Sequence, residues 1–404
     1  MRIAITANGP GEFAGWVRPL VAALRARDRS TEIDVICVPD DFATGHEAAY
    51  VERLFPGVRA HPTTDYLRLA LGRSVDGLPA QVDRVQYLGG DLSHAVRVRA
   101  RLGGEATSYK FSRKRFATVF ERVFAVDEAN REQLIGWGTP DARIEIVGNL
   151  AIDGALGEAA GAFGDPPSDA ARDGIVLFPG SRKNEVANIF PMFVRVALNL
   201  RRMLPDVPIA FAGSPFVPDD SVRAALARGG EHPLSYGAPA ELTGDGEIVA
   251  DGQRFPLLRA AMRATAGARL AISIPGTKVI ELAALGVPAI VCMPFNAPEL
   301  VVIGGPLQYV GKLPLIGTPI KRAAVLSVAK RFTHFAQPNI DAGKVLDVEI
   351  VGTLLPSQVA CAAAERWRDA AWCAATGAEL RELYRDQAGA AERMAALLLE
   401  PVGS

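Results

Sequence analysis

The chain has 404 residues, of which 49% are hydrophobic and 22% charged, and its formal net charge is −1. This composition is typical of a folded globular protein and excludes a disordered or fibrous chain, while the balanced charge gives no indication of nucleic-acid binding. The length predicts two or three domains. Neither the 4 cysteines nor the 5 histidines show a metal-ligand spacing. We therefore expect no metal site, no disulfide scaffold and a reducing, cytoplasmic compartment.

The first elements of the chain predict a parallel α/β domain. An apolar strand at residues 2–7 precedes the turn-forming residues 8–12, a helical pattern over 13–27 and a second strand at 32–38. This order of strand, glycine loop, helix and strand is typical of a Rossmann-like fold. Later elements of this half are strands at 84–88, 122–126 and 144–147 and a helix over Leu92–Leu102.

A segment rich in alanine, glycine, aspartate and proline predicts a linker, after which the same pattern restarts. The second half has predicted strands at 174–180, 208–213, 247–252, 268–273 and 288–293, and a long helix over 184–203. The predicted organisation is an N-terminal Rossmann-like domain at 1–157, a linker at 158–173, a C-terminal Rossmann-like domain at 174–355, and helices at 356–404 that pack back across both domains.

One glycine loop in the second half follows a strand and opens a helix. Gly180 lets the backbone approach a ligand closely, and the amides at a helix N-terminus favour an anion such as a diphosphate. Ser181 can donate a hydrogen bond, and Arg182 can hold phosphate with its fork of donors. The alternative is a tight turn with a capping serine and a solvated arginine.

A second loop repeats this arrangement. Gly276 and Thr277 again lie between a strand and a helix, where free amides and a hydroxyl could receive phosphate. Glu281 lies one helical turn further and could accept hydrogen bonds from a ribose diol. The alternative for Glu281 is a surface carboxylate favoured by the helix dipole.

Four segments of the chain resemble the lipid-A-disaccharide synthase family. FPGSRKNEV (178–186) is similar to the family's LPGSR..EV segment, and IPGTKVIELAALGVPAIV (274–291) to its SGTA.LE.ML...PMVV segment. IVGNLAID (146–153) and AKRFTHFAQPNIDAGKVLDVEI (329–350) are similar to two further blocks. Near the start, Gly11 and Glu12 fall where the family has SGD.

The resemblance implies a GT-B fold, in which two doubly wound, Rossmann-like domains face an interdomain cleft. It implies an inverting, metal-independent hexosyltransferase that uses a UDP-sugar as donor and no other cofactor. It places a lipid-linked acceptor in the first domain and the enzyme on the inner face of the cell membrane as a peripheral protein. The positions carried over for the nucleotide sugar are Gly180, Ser181, Arg182, Gly276, Thr277, Glu281 and Asn339.

The departures from the family pattern lie on the acceptor side. The family's IDAPDFN is here LGGDLSH (88–94), so only one of two aspartates, Asp91, has a counterpart, and the Trp-rich PSVWAW stretch is absent. Asp91 and Glu12 are the candidate bases for the acceptor hydroxyl, with Gly11 and His94 beside them. The alternatives are that Asp91 is the N-cap of the following helix and that His94 is a partly exposed helix residue.

Two segments predict contact with a membrane surface. Residues 97–122 carry eight basic residues against two acidic ones, which would suit anionic lipid or a phosphorylated acceptor. Residues 297–320 are apolar but broken by prolines, so they cannot form a spanning helix and could instead dip into the interface or line an acyl-chain pocket. The alternatives are a solvated basic face and a core-packed loop.

Two other functions remain open from the sequence. A UDP-sugar 2-epimerase would use the same scaffold and donor without an acceptor. A non-catalytic nucleotide-sugar-binding protein would explain the missing aspartate and tryptophans. The C-terminal helices could also cross to a second copy of the chain, so a homodimer is open as well.

Overall fold

The computed structural model describes residues 1–40, 45–111, 116, 118–166, 168–230, 236–296, 327 and 332–401. The chain divides into two compact units. The first consists of Met1–Gly157 together with Tyr384–Ser404, and the second of Glu158–Leu383. Each unit is built on one mostly parallel sheet covered by helices, which confirms the prediction of two Rossmann-like halves.

The sheet of the first unit has, among the described residues, seven strands in the order β3-β2-β1-β4-β5-β6-β7, all paired in parallel. The strands are β1 Arg2–Ala7, β2 Glu32–Cys37, β3 Arg59–His61, β4 Arg84–Tyr87, β5 Glu105–Tyr109, β6 Arg122–Ala125 and β7 Ile144–Ile146. The helices of this part of the chain are α1 Pro10–Glu12, α2 Arg18–Arg27, α3 Glu47–Leu54, α4 Thr63–Ala70, α5 Leu92–Leu102, α6 Glu128–Gly136 and α7 Leu150–Ala160. A π-helical turn, Phe13–Val17, joins α1 to α2.

Buried polar side chains lie in the middle of this sheet. Thr107 on β5 donates a hydrogen bond from Oγ1 to Oε1 of Gln86 on β4 at 2.6 Å, and Gln86 Nε2 donates to the Tyr87 carbonyl at 2.6 Å. Both Thr107 and Gln86 are fully buried. Mutual hydrogen bonding makes their burial tolerable, so β5 forms although its sequence, EATSY, lacks an apolar run and predicted no strand.

The sheet of the second unit has, within the described part of the chain, eight strands in the order β10-β11-β12-β9-β8-β13-β14-β15. The strands are β8 Ile175–Phe178, β9 Ile209–Ala212, β10 Glu241–Leu242, β11 Glu247–Ala250, β12 Gln253–Leu258, β13 Leu270–Ser273, β14 Ala289–Pro294 and β15 Val348–Gly352. The pairs β10–β11 and β11–β12 are antiparallel and the other pairs are parallel. The helices are α8 Lys183–Met203, α9 Asp219–Arg228, α10 Ala261–Thr265, α11 Thr277–Leu285, α12 Gln337–Ala342, α13 Pro356–Arg368 and α14 Ala370–Tyr384.

The long helix α8 covers one face of this sheet and holds much of its core. Phe190 of α8 stacks on Phe211 of β9 with ring centroids 5.3 Å apart, and Phe211 meets the edge of Phe255 of β12 at 5.9 Å. All three rings are buried. The aromatic core fixes α8 over the strands, so the N-terminus of α8 stays beside the end of β8.

The last helix, α15 Ala390–Leu398, belongs to the first unit. Asp153 accepts hydrogen bonds from two backbone amides at its start, at 2.6 and 2.7 Å. Arg84 donates to the carbonyl oxygens of Leu397 and Glu400 at its end, each at 2.8 Å. A carboxylate at the N-terminus and a guanidinium at the C-terminus both complement the helix dipole. The C-terminal helices are therefore divided, with α13 and α14 in the second unit.

Candidate functional site

In parallel α/β sheets, ligands bind beyond the carboxyl ends of the strands. In the first unit, loops after β1, β2 and β4 converge at this edge. A Cβ built on Gly9 would lie 2.7 Å from Glu12 Oε2 and 3.0 Å from Asp40 Oδ2, and one on Gly89 would lie 2.6 Å from Asn8 Oδ1. A side chain at either position would therefore have to displace the side chains of this polar group. The sequence predicted Glu12 here but not Asp40.

The helical start of the first βα loop positions Glu12. Pro10 at the first helical position fixes the backbone angle that opens α1, and the π-helical turn follows directly after Glu12. Such turns are frequent at functional sites because they redirect side chains along a helix. Gly11 is exposed, and a Cβ on it would meet no other described atom within 4 Å, so its glycine leaves open space beside Glu12.

Asp91 lies at the start of α5, after the end of β4. One oxygen, Oδ1, accepts a hydrogen bond from the Ser93 amide at 2.9 Å, so Asp91 is the N-cap of α5. The half-buried carboxylate has a second oxygen beyond this cap. The alternative given for Asp91 from the sequence is therefore present in the structure, and a catalytic role stays a prediction.

His94 lies one turn into α5 and contacts a tyrosine that the sequence did not single out. Its Nδ1 is 2.5 Å from the phenol oxygen of Tyr66 on α4, and the two rings meet edge to face with centroids 4.9 Å apart. Tyr66 is buried and His94 half-buried. Burial lowers the pKa of His94 below its ordinary value, Asp91 acts to raise it and Arg97 to lower it. The imidazole is therefore neutral at neutral pH.

In the second unit, the two predicted loops follow neighbouring strands. β8 and β13 pair in parallel with Phe178 opposite Ser273, so both loops leave the sheet side by side. Neighbouring strands lie about 4.8 Å apart. The fold therefore brings the Gly180–Arg182 loop and the Gly276–Thr277 loop to one place at the carboxyl edge.

The first of these loops is closed by Glu185, a residue of the matching segment to which the sequence gave no role. Oε2 of Glu185 accepts from the Ser181 amide at 2.9 Å and the Arg182 amide at 3.0 Å, and Oε1 accepts from Arg182 Nη1 at 2.9 Å. Gly180 has φ +99°, and a Cβ there would collide with Glu185. The amides predicted to bind phosphate are thus bonded to a carboxylate of the protein itself.

The second loop is open. Gly276, the N-cap of α11, has φ +151°, and a Cβ on it would meet no other described atom within 4 Å. No side chain caps α11 within the described residues, and Gly276 and Thr277 are exposed. Glu281 is buried and pairs with Lys278 Nζ at 2.5 Å. The helix N-terminus is therefore accessible to an anion, with a carboxylate one turn below it.

Asn339 lies on α12 and is fully buried, with its side chain directed at the turn before β15. Its Nδ2 donates to the Asp347 carbonyl at 2.9 Å and to Glu349 Oε1 at 2.8 Å, while Oδ1 accepts from the amides of Leu346 at 2.8 Å and Asp347 at 2.9 Å. These four bonds use both donors and both lone pairs of the amide. The geometry indicates that Asn339 holds the β15 turn, and direct contact with a nucleotide stays a prediction.

The structure describes only part of the two segments that were predicted to contact a membrane. Residues 297–320 lie outside the described residues, as do three basic positions of the 97–122 stretch, Arg113, Lys114 and Arg115. Within that stretch, Arg99 pairs with Glu121, and Arg122 pairs with Glu400 at 2.7 Å. These two arginines are therefore used inside the first unit. Across the described ranges, no helix is long and apolar enough to span a membrane.

The described part of the chain contains no group of three or more His, Cys, Asp or Glu residues arranged to hold a metal ion. The donor set at the two loops is instead backbone amides, a guanidinium and a hydroxyl. This chemistry suits an anion directly.

Comparison with solved structures identifies the class of fold. A UDP-N-acetylglucosamine 2-epimerase superposes with a TM-score of 0.55 at 13% identity, covering 98% of this chain and 95% of that one. The UDP-GlcNAc 2-epimerase from Neisseria meningitidis, bound to UDP-GlcNAc, gives 0.52 at 11% identity and covers 99% and 100%. The glycotransferase of kitacinnamycin gives 0.52 at 15% identity and covers 98% of each chain. The chain has the GT-B fold shared by glycosyltransferases and these epimerases.

Within that class, the chain is a distant relative of the lipid-A-disaccharide synthases. The enzyme of Geobacter sulfurreducens is 25% identical over 250 residues, which are 61% of this chain and 53% of the relative. That of Ruegeria pomeroyi is 35% identical over 127 residues, 30% of this chain and 27% of the relative. The matches thus span about half or less of the relatives' length. No protein-family model matches the chain.

Proposed function

We propose that the protein is an inverting, metal-independent glycosyltransferase that moves a sugar from a UDP-sugar to a lipid-linked or amphiphilic acceptor. The sugar would be of the N-acetylglucosamine or acylated glucosamine type. The observation that carries the proposal is the pair of glycine loops that follow the paired strands β8 and β13. One loop contains Arg182, and the other contains the open N-terminus of α11. The distant relationship to lipid-A-disaccharide synthases supports the choice of reaction and of acceptor class.

In this proposal the donor binds in the second unit. The diphosphate lies at the N-terminus of α11, where the amides and the Thr277 hydroxyl donate to it. Arg182 turns from Glu185 towards the phosphates, and Glu281 accepts from the ribose. Donors arranged around the diphosphate stabilise the charge that develops on it as UDP departs. A metal ion is not required for that role because a guanidinium and a helix N-terminus supply the positive potential.

The acceptor binds in the first unit and loses one proton there. Its hydroxyl oxygen attacks the anomeric carbon, and a new C–O bond forms on the face opposite the leaving group. The bond between the anomeric carbon and the diphosphate oxygen breaks, and UDP leaves with that electron pair. The proton passes to a carboxylate, for which Glu12 and Asp91 are the candidates.

The donor site is tested by titrating the purified protein with UDP while following heat or the melting temperature, with ADP and GDP as controls. Selective binding of UDP is the expected result, since ligand that binds only the folded state raises the melting temperature. The absence of binding by any nucleotide would overturn the proposal. Sugar transfer is then sought by supplying UDP-N-acetylglucosamine with lipid fractions and following release of UDP.

A UDP-sugar 2-epimerase is the second candidate, because epimerases superpose on this fold as well as a glycosyltransferase does. The two functions differ in their need for an acceptor. Incubation with UDP-N-acetylglucosamine alone should leave the donor unchanged if the protein is a transferase, whereas an epimerase would convert it to its C2 epimer. If neither reaction occurs but UDP binds, a non-catalytic nucleotide-sugar-binding protein remains.

The acceptor class also implies where the protein acts. We place it at the cytoplasmic face of the membrane as a peripheral protein, supported by the basic stretch 97–122 and by the apolar sequence of residues 297–320. Co-sedimentation with vesicles containing anionic phospholipid, but not with neutral ones, is expected. Equal binding to both kinds of vesicle would remove the electrostatic argument.

A further inference from the structure

We propose that buried Tyr66 fixes His94 as the Nε2–H tautomer, so that His94 donates a hydrogen bond to an oxygen of the acceptor and is not the general base. The inference rests on the proposed function, because it requires the acceptor to bind at the carboxyl edge of the first unit. It makes Tyr66 a positioning residue and leaves the proton transfer to a carboxylate.

The hydrogen-bonding partners of Tyr66 determine the tautomer. Interaction with Tyr66 raises the pKa of Arg97, so the guanidinium lies near the phenol, and a guanidinium can only donate. Arg97 therefore offers no acceptor for the phenol hydrogen of Tyr66. The acceptor within reach is Nδ1 of His94, at 2.5 Å. A nitrogen that accepts carries no proton, so in the neutral ring the proton is on Nε2.

The opposite assignment would strand a buried hydrogen-bond donor. If Nδ1 carried the proton and donated to the phenol oxygen, the hydroxyl hydrogen of Tyr66 would need another acceptor. Tyr66 is only 2% exposed, and no other hydrogen bond from its phenol is seen within the described residues. An unsatisfied buried donor costs about 1–3 kcal/mol, which is enough to select the Nε2–H tautomer.

The charges around His94 favour the neutral ring. The charged groups that face it are Asp91 and Arg97 on its own helix, and the neighbour from α4 is the neutral phenol of Tyr66. Burial and Arg97 both lower the pKa of His94 and only Asp91 raises it. A neutral ring with Nδ1 engaged has no free lone pair on nitrogen, so it cannot take the proton of an acceptor hydroxyl.

The position of His94 allows its Nε2–H group to donate a hydrogen bond to the acceptor. Nδ1 faces the buried phenol, so Nε2 lies on the part of the ring that points away from Tyr66, and His94 as a whole is half-buried. His94 lies one turn after Asp91, at the carboxyl edge where the acceptor is proposed to bind. A neutral N–H in this place recognises an oxygen, either a sugar hydroxyl or a phosphate oxygen of the acceptor.

The tautomer is measured on the free protein, without substrate, from the imidazole ¹⁵N chemical shifts of His94. The expected spectrum has an unprotonated Nδ1 and a protonated Nε2 at neutral pH. In Tyr66→Phe the two shifts should move towards a mixture of tautomers and the pKa of His94 should rise, because the hydrogen bond that favours the neutral form is lost. A protonated Nδ1 in the unsubstituted protein would overturn the proposal.

Tyr50→Phe is the matched control, because Tyr50 is also buried in the first unit and its phenol accepts from Arg18 at 3.4 Å. It should leave the His94 shifts unchanged. If Tyr50→Phe moved the His94 shifts as far as Tyr66→Phe does, the shifts would report a general loss of packing in the first unit. The proposal that Tyr66 fixes the tautomer would then be refuted.

The role in transfer is tested with His94→Gln and His94→Asn. The glutamine amide can place a donor where Nε2 was but cannot accept a proton, and asparagine is too short to do so. Donation predicts that His94→Gln keeps kcat, whereas His94→Asn raises KM for the acceptor by about tenfold, the worth of one hydrogen bond. Loss of kcat in His94→Gln with the fold intact would show His94 to be the base. If His94 shows the expected tautomer but no acceptor is ever glycosylated, the proposed function is wrong, whereas the role of Tyr66 in fixing the tautomer is retained.

Discussion

At the scale of single residues, Arg182 carries the sharpest test of the donor site. The Arg182→Ala variant should bind UDP about tenfold more weakly, at the lower end of the range for a charge-assisted hydrogen bond because the side chain is 49% exposed. Isothermal titration measures the change. Arg202→Ala is the control, since Arg202 is an exposed arginine in the last turn of α8, far from its N-cap Arg182, and pairs with Asp251 at 3.2 Å. Equal affinities in both variants would remove Arg182 from the donor site.

Removing the charge of Glu185 should have the opposite effect on UDP affinity to removing Arg182. Its carboxylate occupies the Ser181 and Arg182 amides and pairs with the Arg182 side chain, so it repels a diphosphate and holds back the guanidinium. Glu185→Gln keeps an oxygen that can accept from the amides but removes the charge. We expect UDP to bind several-fold more tightly to this variant, in the same titration. Weaker binding would mean that the carboxylate shapes the loop for the nucleotide and does not compete with it.

Asp347 predicts a pH dependence of stability. Burial raises its pKa to about 7, with Glu349 adding to the shift and the Ala289 amide opposing it. The unfolded value is about 3.9, so the folded state holds the proton more tightly. The resulting stabilisation is complete below the unfolded pKa and is lost as the pH rises through about 7. Urea unfolding should show the free energy of unfolding falling from pH 4 to 7.

The Asp347→Asn variant should flatten that dependence, because its amide oxygen can still accept from the Ala289 amide but does not titrate. Asp341→Asn, at an exposed position nearby, should leave the profile as it is. A profile of Asp347→Asn that retains the full slope between pH 4 and 7 would assign the proton uptake to another group.

Among the site residues, the sequence predicted those whose role follows from a strand, a glycine and a helix start. Arg182 and Thr277 were found in this way, and the structure brings their loops together through β8 and β13. Asp40 and Tyr66 were missed because they come from elements distant in sequence. Each matters only through a neighbour, Glu12 or His94, that the fold brings to it.

At the scale of elements, the apolar strands were predictable and the polar ones were not. β8 is a continuous apolar run, and β1 and β13 are apolar apart from Arg2, Thr6 and Ser273, as expected for parallel strands buried on both faces. β5 is polar, and its Thr107 bonds to Gln86 of β4 inside the sheet. Such a strand is recognisable only after its partner strand is known, because its buried polar residues are explained by the pairing and not by its own sequence.

The anchoring of α15 gives a prediction at this scale. Arg84 is 1% exposed and bonds the carbonyl oxygens of Leu397 and Glu400. Arg84→Met keeps the bulk but leaves the Glu400 carbonyl without its donor and the Glu105 carboxylate without its partner at 3.1 Å, at about 1–3 kcal/mol for each buried group. The Leu397 carbonyl still accepts from Arg122 at 3.0 Å. We expect a loss of roughly 3 kcal/mol in the free energy of unfolding, measured with urea. Arg2→Met, which removes an exposed arginine paired with Glu32, should change stability little.

At the scale of the whole molecule, the two Rossmann-like halves were predictable and the return of α15 to the first unit was not. An amphipathic pattern indicates that a helix has a buried face, but not which sheet covers that face. Here Asp153 and Arg84 bind α15 to the first unit, and both lie more than 200 positions before that helix in the sequence. The anchors hold α15 to the first unit by charge at both of its ends.

The division of the chain into two units predicts which fragments of it fold on their own. The second unit is one continuous segment, Glu158–Leu383, whereas the first unit needs two segments that are far apart in sequence. We expect the fragment 158–383 to fold alone, with a cooperative melting transition, and to bind UDP. Residues 1–157 alone should not fold, because α2 would lose its packing against α15, whose buried residues include Ala391, Met394 and Leu398.

The matched control for the first unit joins residues 384–401 to residue 157 through a flexible glycine–serine linker. This chain restores the partner of α2 and the helix ends that Asp153 and Arg84 bind, so it should recover a cooperative transition and should not bind UDP. Far-UV circular dichroism and thermal melting compare the three fragments. A folded 1–157 fragment would show that α15 is dispensable for the first sheet, and UDP binding by the joined first unit would move the donor site away from the loops after β8 and β13.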